Sequence, residues 1–211
     1  MKFKSLIAAS AIALSSFGAY ASTNLLTNGS FEQSGSSASF DTILAGGSLP
    51  GWSVLFGSVD LINSYWTASN GTKSLDLSGS GMGSIMQTFA TIAGQKYHVS
   101  FDLAGNPDGD ALKTLLVGLS PTQIYQFDAT GKTKADMGWV TKGFDFIGTG
   151  ASTSMTFTSF NNSAYGPALD NVSVTAVTAV TAVPEPESFA MMLAGLGLMG
   201  SIAQRRKQKS A

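Results

Sequence analysis

The 211-residue chain has no cysteine. That absence excludes disulfide staples, thiolate chemistry and cysteine-based metal sites, so the folded part must be stable through its core. Histidine occurs once, as His98. Ser100 and Asp102 share its face of an alternating run, but same-face neighbours on one strand stand about 7 Å apart. That is beyond the direct nucleophile–base contact of a hydrolytic triad, so His98 reads as a solvated surface residue. No Gly-x-Ser-x-Gly elbow and no His-Glu-x-x-His pair occurs. Charge is sparse, at 12% of residues. Amphipathic helical spacing is missing between the two ends of the chain, which excludes parallel α/β architectures.

The two ends carry addresses. Lys2 and Lys4 precede a mostly apolar run over residues 6–17, and Ala19-Tyr20-Ala21 supplies the small-x-small cleavage site of a secretory signal peptide. Residues 1–21 are therefore expected to leave the chain after export through the Sec machinery. At the other end stand Val183, Pro184, Glu185 and Pro186, then an uncharged run over residues 188–204, then Arg205, Arg206, Lys207 and Lys209. The prolines hold the approach extended, the apolar run can enter lipid, and the cations stay on the cytoplasmic side. This tail resembles the PEP-CTERM sorting signal of Gram-negative bacteria that make extracellular polysaccharide. The resemblance implies transient anchoring in the inner membrane by a helix over about 188–204, then processing by an exosortase near the Pro-Glu-Pro motif. An ordinary C-terminal anchor is the other reading. The strongly apolar part, residues 189–203, is 15 residues, about 22 Å as a helix against roughly 30 Å of hydrocarbon. A span that short suits a temporary hold. Gly195, Gly197 and Gly200 match a dinucleotide-binding spacing but lack the preceding strand, so they read as membrane-segment glycines.

Between these ends the segment 22–183 carries six lysines against eleven carboxylates, a net charge of −5. Phosphate backbones would be repelled, which argues against nucleic acid; a cation or a neutral polymer is a better match. Period-two alternation recurs throughout. Tyr97, Val99, Phe101 and Leu103 occupy one face of a run whose other face carries Lys96, His98, Ser100 and Asp102, predicting a strand with one buried and one wet face. Similar runs fall at 25–31, 52–56, 59–62, 74–77, 85–92, 113–119, 123–127, 139–147, 154–160 and 169–175, separated by turn material such as Asn70-Gly71 and Asn106-Pro107-Asp108-Gly109. Some ten strands without helices predict an all-β antiparallel sandwich over residues 22–175. The Thr-Ala-Val repeats of 176–183 read as an extended linker, and helices are expected only in the signal peptide and the apolar tail.

Asn28-Gly29-Ser30-Phe31-Glu32, followed by Gly51-Trp52, resembles the opening of the galactose-binding-like jelly rolls, which include many carbohydrate-binding modules. With residues 101–109 and 165–172 the whole domain is similar to the choice-of-anchor C family of bacterial surface proteins. In such jelly rolls a Glu of the first strand and an Asp of the last hold a structural calcium with nearby backbone carbonyls. The resemblance thus implies Ca2+ at Glu32 and Asp170, with oxygens of Asn28 and Ser30 beside them. Spacing places Asp170 in phase with Val172 and Val174, where an unpaired carboxylate would be costly. The alternative is that both carboxylates accept hydrogen bonds from loop backbone, or that Asp170 pairs with a lysine.

Stacking on a sugar face needs exposed rings. Trp52, Tyr65, Trp66, Trp139 and Tyr165 lie near run ends; Trp52 and Trp139 read as packing residues, Tyr165 as closing a turn, and Tyr65-Trp66 as the best stacking pair. Asn63, Asn70, Asn106, Asp108 and Asp110 supply loop hydrogen-bonding groups, and the loop holding the last three is either a ligand or cation site or a solvated turn. Glycoside hydrolysis needs only two suitably spaced carboxylates, and nothing singles out a pair among eleven. The sequence thus points to an exported, surface-sorted, non-catalytic sandwich that binds extracellular polysaccharide or serves in a biofilm matrix; a purely structural adhesion protein is the alternative, and a glycan hydrolase is a third reading. Intact mass of the protein recovered from cells is expected to show a chain beginning at Ser22 and lacking residues 189–211. A membrane-extracted chain retaining those residues would make the tail a plain anchor.

Overall fold

The computed structural model describes residues 23–35, 38–150, 152–177 and 186–209. The signal peptide with Ala19 and Ala21, and the Val183, Pro184 and Glu185 part of the sorting motif, lie outside the described residues. The chain divides after Val177 into two units.

The first unit is an antiparallel jelly-roll-type sandwich. Its strands in chain order are β1 (Phe40–Leu44), β2 (Ser48–Leu49), β3 (Trp52–Phe56), β4 (Ser58–Ile62), β5 (Ser74–Asp76) and β6 (Ser84–Ala90). These are followed by β7 (Lys96–Gly105), β8 (Leu112–Gly118), β9 (Gln123–Asp128), β10 (Val140–Ile147), β11 (Ser152–Ser159) and β12 (Pro167–Ala176). One sheet runs β1-β4-β5-β12-β7-β10, the other β2-β3-β6-β11-β8-β9. Alternation drives the packing. Val59, Leu61, Leu75, Tyr97, Val99, Phe101, Leu103, Leu169 and Val174 of the first sheet meet Trp52, Val54, Ile85, Leu115, Val117, Met155 and Phe157 of the second, all buried. Phe157 lies at the middle of the interface. It packs edge-on against Phe101 at 5.3 Å and against Trp52 at 6.0 Å between ring centroids, the tilted geometry that aromatic quadrupoles prefer.

Three expectations change. Residues 25–31 form no strand: Asn28 (φ 54°) and Phe31 (φ 60°) adopt left-handed backbone that breaks an extended run. The segment instead closes one end of the sandwich. Leu25 donates its N–H to the Val174 carbonyl (2.8 Å), the Gly29 carbonyl accepts from Val172 N–H (2.9 Å), and Phe31 is fully buried against Trp52. A Cβ on Gly29 would overlap the Val172 carbonyl, so this close approach requires glycine. Second, β1 and β2 come from the Ser/Gly-rich stretch before Trp52, where no alternating run was evident. Third, the linker begins later than expected, because β12 runs to Ala176 and Val177 N–H still bonds the Lys96 carbonyl (2.9 Å).

A bulge in β12 overturns the phase inferred for Asp170. Its partners on β7 shift by one residue between Asp170 and Ser173, with Asn171 at φ 50°. Leu169 opposite Leu103 and Val174 opposite Val99 therefore both face the core, while Asp170 opposite Asp102 faces the other side. Asp102 is itself buried rather than wet.

In the second unit Pro186–Lys209 forms the single described helix, α1. No described helix is long and apolar enough to cross a membrane, so the crossing segment expected at 188–204 is not met on those terms. Three glycines, Ser201 and Gln204 dilute its apolar character.

Candidate ligand-binding groove

The outer face of the first sheet carries a groove of about 260 Å³. Strand alternation builds its floor: with Val59 and Leu61 turned inward, Asp60 and Ile62 of β4 face out, and with Leu75 inward, Asp76 of β5 faces out beside Asp60, its antiparallel register partner. Phe40 and Thr42 of β1 line one side, and Tyr65, Asn106, Gly79, Ala164 and Tyr165 complete the walls. Phe40 and Tyr165 are about 40% exposed, and Phe40 meets Tyr65 edge-on at 5.4 Å. Ring surfaces therefore stand over a polar floor.

The two floor carboxylates differ. Asp76 is fully buried and satisfied: Oδ1 accepts from Ser78 N–H (2.9 Å) and Gly166 N–H (3.0 Å), and Oδ2 from the Asn106 amide (2.8 Å). Asp60 accepts at Oδ1 from the Thr42 hydroxyl (2.6 Å), its single described partner, and remains 9% exposed. Behind the wall lies Lys113, a buried lysine on β8, whose Nζ donates to the carbonyls of Asp108 and Tyr165, both at 2.9 Å. It ties together the two loops that flank the groove.

Of the residues singled out from sequence, Tyr65, Asn106 and Tyr165 line this groove, and Asp108 stands at its rim. Asp108 accepts from the Tyr65 hydroxyl (3.0 Å) and pairs with Lys134 (2.9 Å), whose Nζ also lies 3.9 Å from the Tyr65 ring centroid. Trp66 is unavailable for stacking: it is 4% exposed and its indole N–H bonds the Ser74 hydroxyl (2.8 Å). Asp110 is exposed and does not line the groove. Trp52 and Trp139 are packing residues, the latter donating to the Thr67 carbonyl (2.9 Å). His98 bonds Asp145 of the neighbouring strand (2.6 Å), not Ser100 or Asp102. Phe40, Thr42, Asp60, Asp76 and Lys113 were missed. The available signal was a lone carboxylate inside each of two apolar runs, Val59-Asp60-Leu61 and Leu75-Asp76-Leu77.

The residues expected to hold calcium meet hydrogen-bond donors of the protein. Glu32 accepts from Thr72 N–H (2.7 Å), Lys73 N–H (2.6 Å) and the Thr72 hydroxyl (2.9 Å). Asp170 accepts from Ser69 N–H (2.9 Å) and Asn70 N–H (2.8 Å) at Oδ2 and from Asn171 N–H at Oδ1. The two carboxylates clamp the same loop, residues 69–73, from two sides. The Asn28 carbonyl accepts from the Trp52 indole (3.1 Å). N–H donors aimed at the carboxylate oxygens are a poor match to a cation, which needs those oxygens for itself. No group of three or more His, Asp or Glu suited to a metal occurs among the described residues.

Residues 24–175 match the family described as Protein of unknown function (DUF642). The chain belongs to that family. Residues 182–207 match the PEP-CTERM protein-sorting motif, the mark of an exported protein whose C-terminus is held transiently at the membrane and processed by an exosortase. Halomucin of Haloquadratum walsbyi is 33% identical over 159 residues, which is 72% of this chain and 2% of that far longer protein. Among solved structures, a Family 16 Carbohydrate Binding Module-2 covers 72% of this chain and 99% of its own, at 17% identity and TM-score 0.47. The CBM22-1 xylan-binding domain of Paenibacillus barcinonensis Xyn10C covers 77% and 100%, at 18% identity and TM-score 0.46.

Burial gives this DUF642 domain an unusual titration. It pushes Asp76 up to about 7, outweighing the donors on Asn106, Ser78 and Gly166, with Asp60 adding to the rise. It likewise pushes Asp170 up to about 7 against the N–H groups of Asn70, Asn171 and Ser69, with Asp102 adding to the rise. Asp60 is raised by burial too. Glu32 moves the other way: burial would raise it, but the bonds from Lys73 and Thr72 together hold it down. A carboxyl raised on folding binds its proton more tightly in the folded state, so its contribution is complete below about pH 4 and is lost as pH rises through about 7. Glu32, Asp108, Asp128 and Asp145, all held low by their donors, oppose this but are solvated and weigh less. The melting temperature is expected to fall between about pH 4 and pH 7.5, with a shallower slope in Asp76→Asn and Asp170→Asn. A flat or rising profile in the wild type would contradict the assignment.

Proposed function

We propose that this is a non-catalytic, surface-sorted protein that binds extracellular polysaccharide, with the groove on the first sheet as its binding site. The observation that carries the reading is the pairing of exposed ring surface, from Phe40 and Tyr165, with convergent polar groups on the floor, Asp60 and Asn106. Sugars present an apolar C–H face and a hydroxyl rim, and such a site matches both. A role in the exopolysaccharide matrix of a Gram-negative bacterium, and membership among choice-of-anchor C proteins, are part of this proposal and rest on the two targeting ends and the sequence segments already described.

Catalysis is not part of it. Asp60 and Asp76 are the carboxylate pair nearest a cleft, but Asp76 is fully buried and each of its oxygens is held by N–H donors, so it cannot reach a glycosidic oxygen. Pull-down and calorimetry on a panel of bacterial polysaccharides are expected to reveal binding. Tyr165→Ala and Phe40→Ala should each weaken it by ~0.5–1.5 kcal/mol, while Ile124→Ala, on the outer face of the other sheet, leaves it unchanged. Binding insensitive to both ring deletions would place the site elsewhere; no binding at millimolar ligand would count against the reading itself.

The same proposal gives Glu32 and Asp170 a clamping role in place of calcium ligation. Its support is the set of N–H donors that already occupy them. Millimolar Ca2+ or chelator is expected to leave the melting temperature unchanged. A calcium-dependent rise of several degrees, of the kind produced by a ligand specific to the folded state, would restore the metal.

A further inference from the structure

Asp60 is the one group of the groove whose chemistry is incomplete. Its residue is nine-tenths buried, yet only Oδ1 has a partner, the Thr42 hydroxyl at 2.6 Å, and among the described residues no donor meets Oδ2. Oδ2 keeps access to the groove, so its donor is water until a ligand group takes that place. The protein's own cations do not take it. Lys113 spends its Nζ on the carbonyls of Asp108 and Tyr165, and Lys134 spends its own on Asp108 and the Tyr65 hydroxyl. Asp76, the register partner of Asp60, adds a second acid to the floor, and its three donors, Ser78, Gly166 and Asn106, are neutral. The groove therefore presents acidic acceptors inside and aromatic surface at its mouth, with Lys134 held at the rim by Asp108 and Tyr65.

Building on the groove as a polysaccharide site, we infer that its ligand is an amine-bearing sugar, an unacetylated amino sugar whose ammonium group bonds the free Oδ2 of Asp60. Three features of the groove select this class. A charge-assisted N–H···O bond satisfies the buried carboxylate as a neutral hydroxyl does only in part. The rings of Phe40 and Tyr165 accept both the C–H face of a pyranose and a nearby cation, while the Tyr65 ring already holds Lys134. A uronic acid would bring a second anion against Asp60, and an N-acetyl group would replace the cation with a neutral amide.

The test is calorimetry of the processed protein with three probes at a pH where the sugar amine is protonated: a β-1,4-linked glucosamine oligomer, its fully N-acetylated counterpart and a cellulose oligomer of equal length. The glucosamine oligomer is expected to bind at least about tenfold more tightly than either, in keeping with a hydrogen bond to a charged group. Asp60→Asn should erase that preference; the amide is isosteric and its oxygen still accepts from Thr42, and an unchanged melting temperature confirms that the fold is kept. Tyr165→Ala should weaken all probes that bind. Equal affinity for the amine and its acetylated form, a preference that survives Asp60→Asn, or polylysine binding as tightly at the same site would each overturn the inference. If neutral oligomers bind through Tyr165 without any advantage for the amine, the inference falls while the groove stands as a glycan site; if no oligosaccharide binds, both fall.

Discussion

Buried carboxylates on the outer face of the first sheet set the terms for the surface around them. An ionisable group withdrawn from water must find donors or keep its proton, and at Asp76 and Asp170 the donors are backbone N–H groups of loops that cross the sheet. Those bonds fix the loops. Asp76 holds Ser78 and Gly166 and, through Asn106, the start of the loop that carries Asp108. Asp170 and Glu32 hold residues 69–73 between them. Asp102 joins the second cluster by accepting from the Ser69 hydroxyl (2.7 Å), the Thr141 hydroxyl (2.7 Å) and the Asn171 amide (3.1 Å).

The groove follows from the same chemistry with one member left incomplete. Lys113 and Asp76 position the flanking loops from inside and below, so that Tyr165 and Tyr65 stand where an entering ligand would meet them. Asp60 belongs to the same floor but lacks the crossing loop that would satisfy its second oxygen. The walls of the groove are tied to Asp76 and Lys113 by hydrogen bonds. The two targeting ends fit a protein that works outside the cell, where a domain without disulfides depends on this kind of internal bonding and on its aromatic core.

Much of the architecture was legible in the residues. Ten of the twelve strands follow the alternating runs closely, and the inward set of β7, Tyr97 through Leu103, is the set that the period-two pattern selects. The runs were legible because a strand with one buried face must alternate, whatever its neighbours are. The misreadings share one origin. Residues 25–31 alternate but turn, because Asn28 and Phe31 take left-handed backbone; Asp170 looks in phase with its valines, but a one-residue bulge reverses the face; Asp102 sits on the nominally wet side and is buried by loop contacts. Of the groove, sequence singled out Tyr65 and Asn106, read Tyr165 as a turn residue, and overlooked Phe40, Asp60 and Asp76.

What the sequence alone determined is therefore what local chemistry and periodicity can specify: sorting from the C-terminal motif, an antiparallel sandwich from alternation, and no thiol chemistry in a chain without cysteine. What only the tertiary structure decided is which polar groups meet. Glu32 and Asp170 lie far apart in the chain yet grip one loop, and Asp60 and Asp76 become neighbours through strand register. Whether a carboxylate is a calcium ligand, a clamp or a ligand acceptor depends on the donors brought to it by distant segments. Periodicity carries the facing of a strand but no information about those donors.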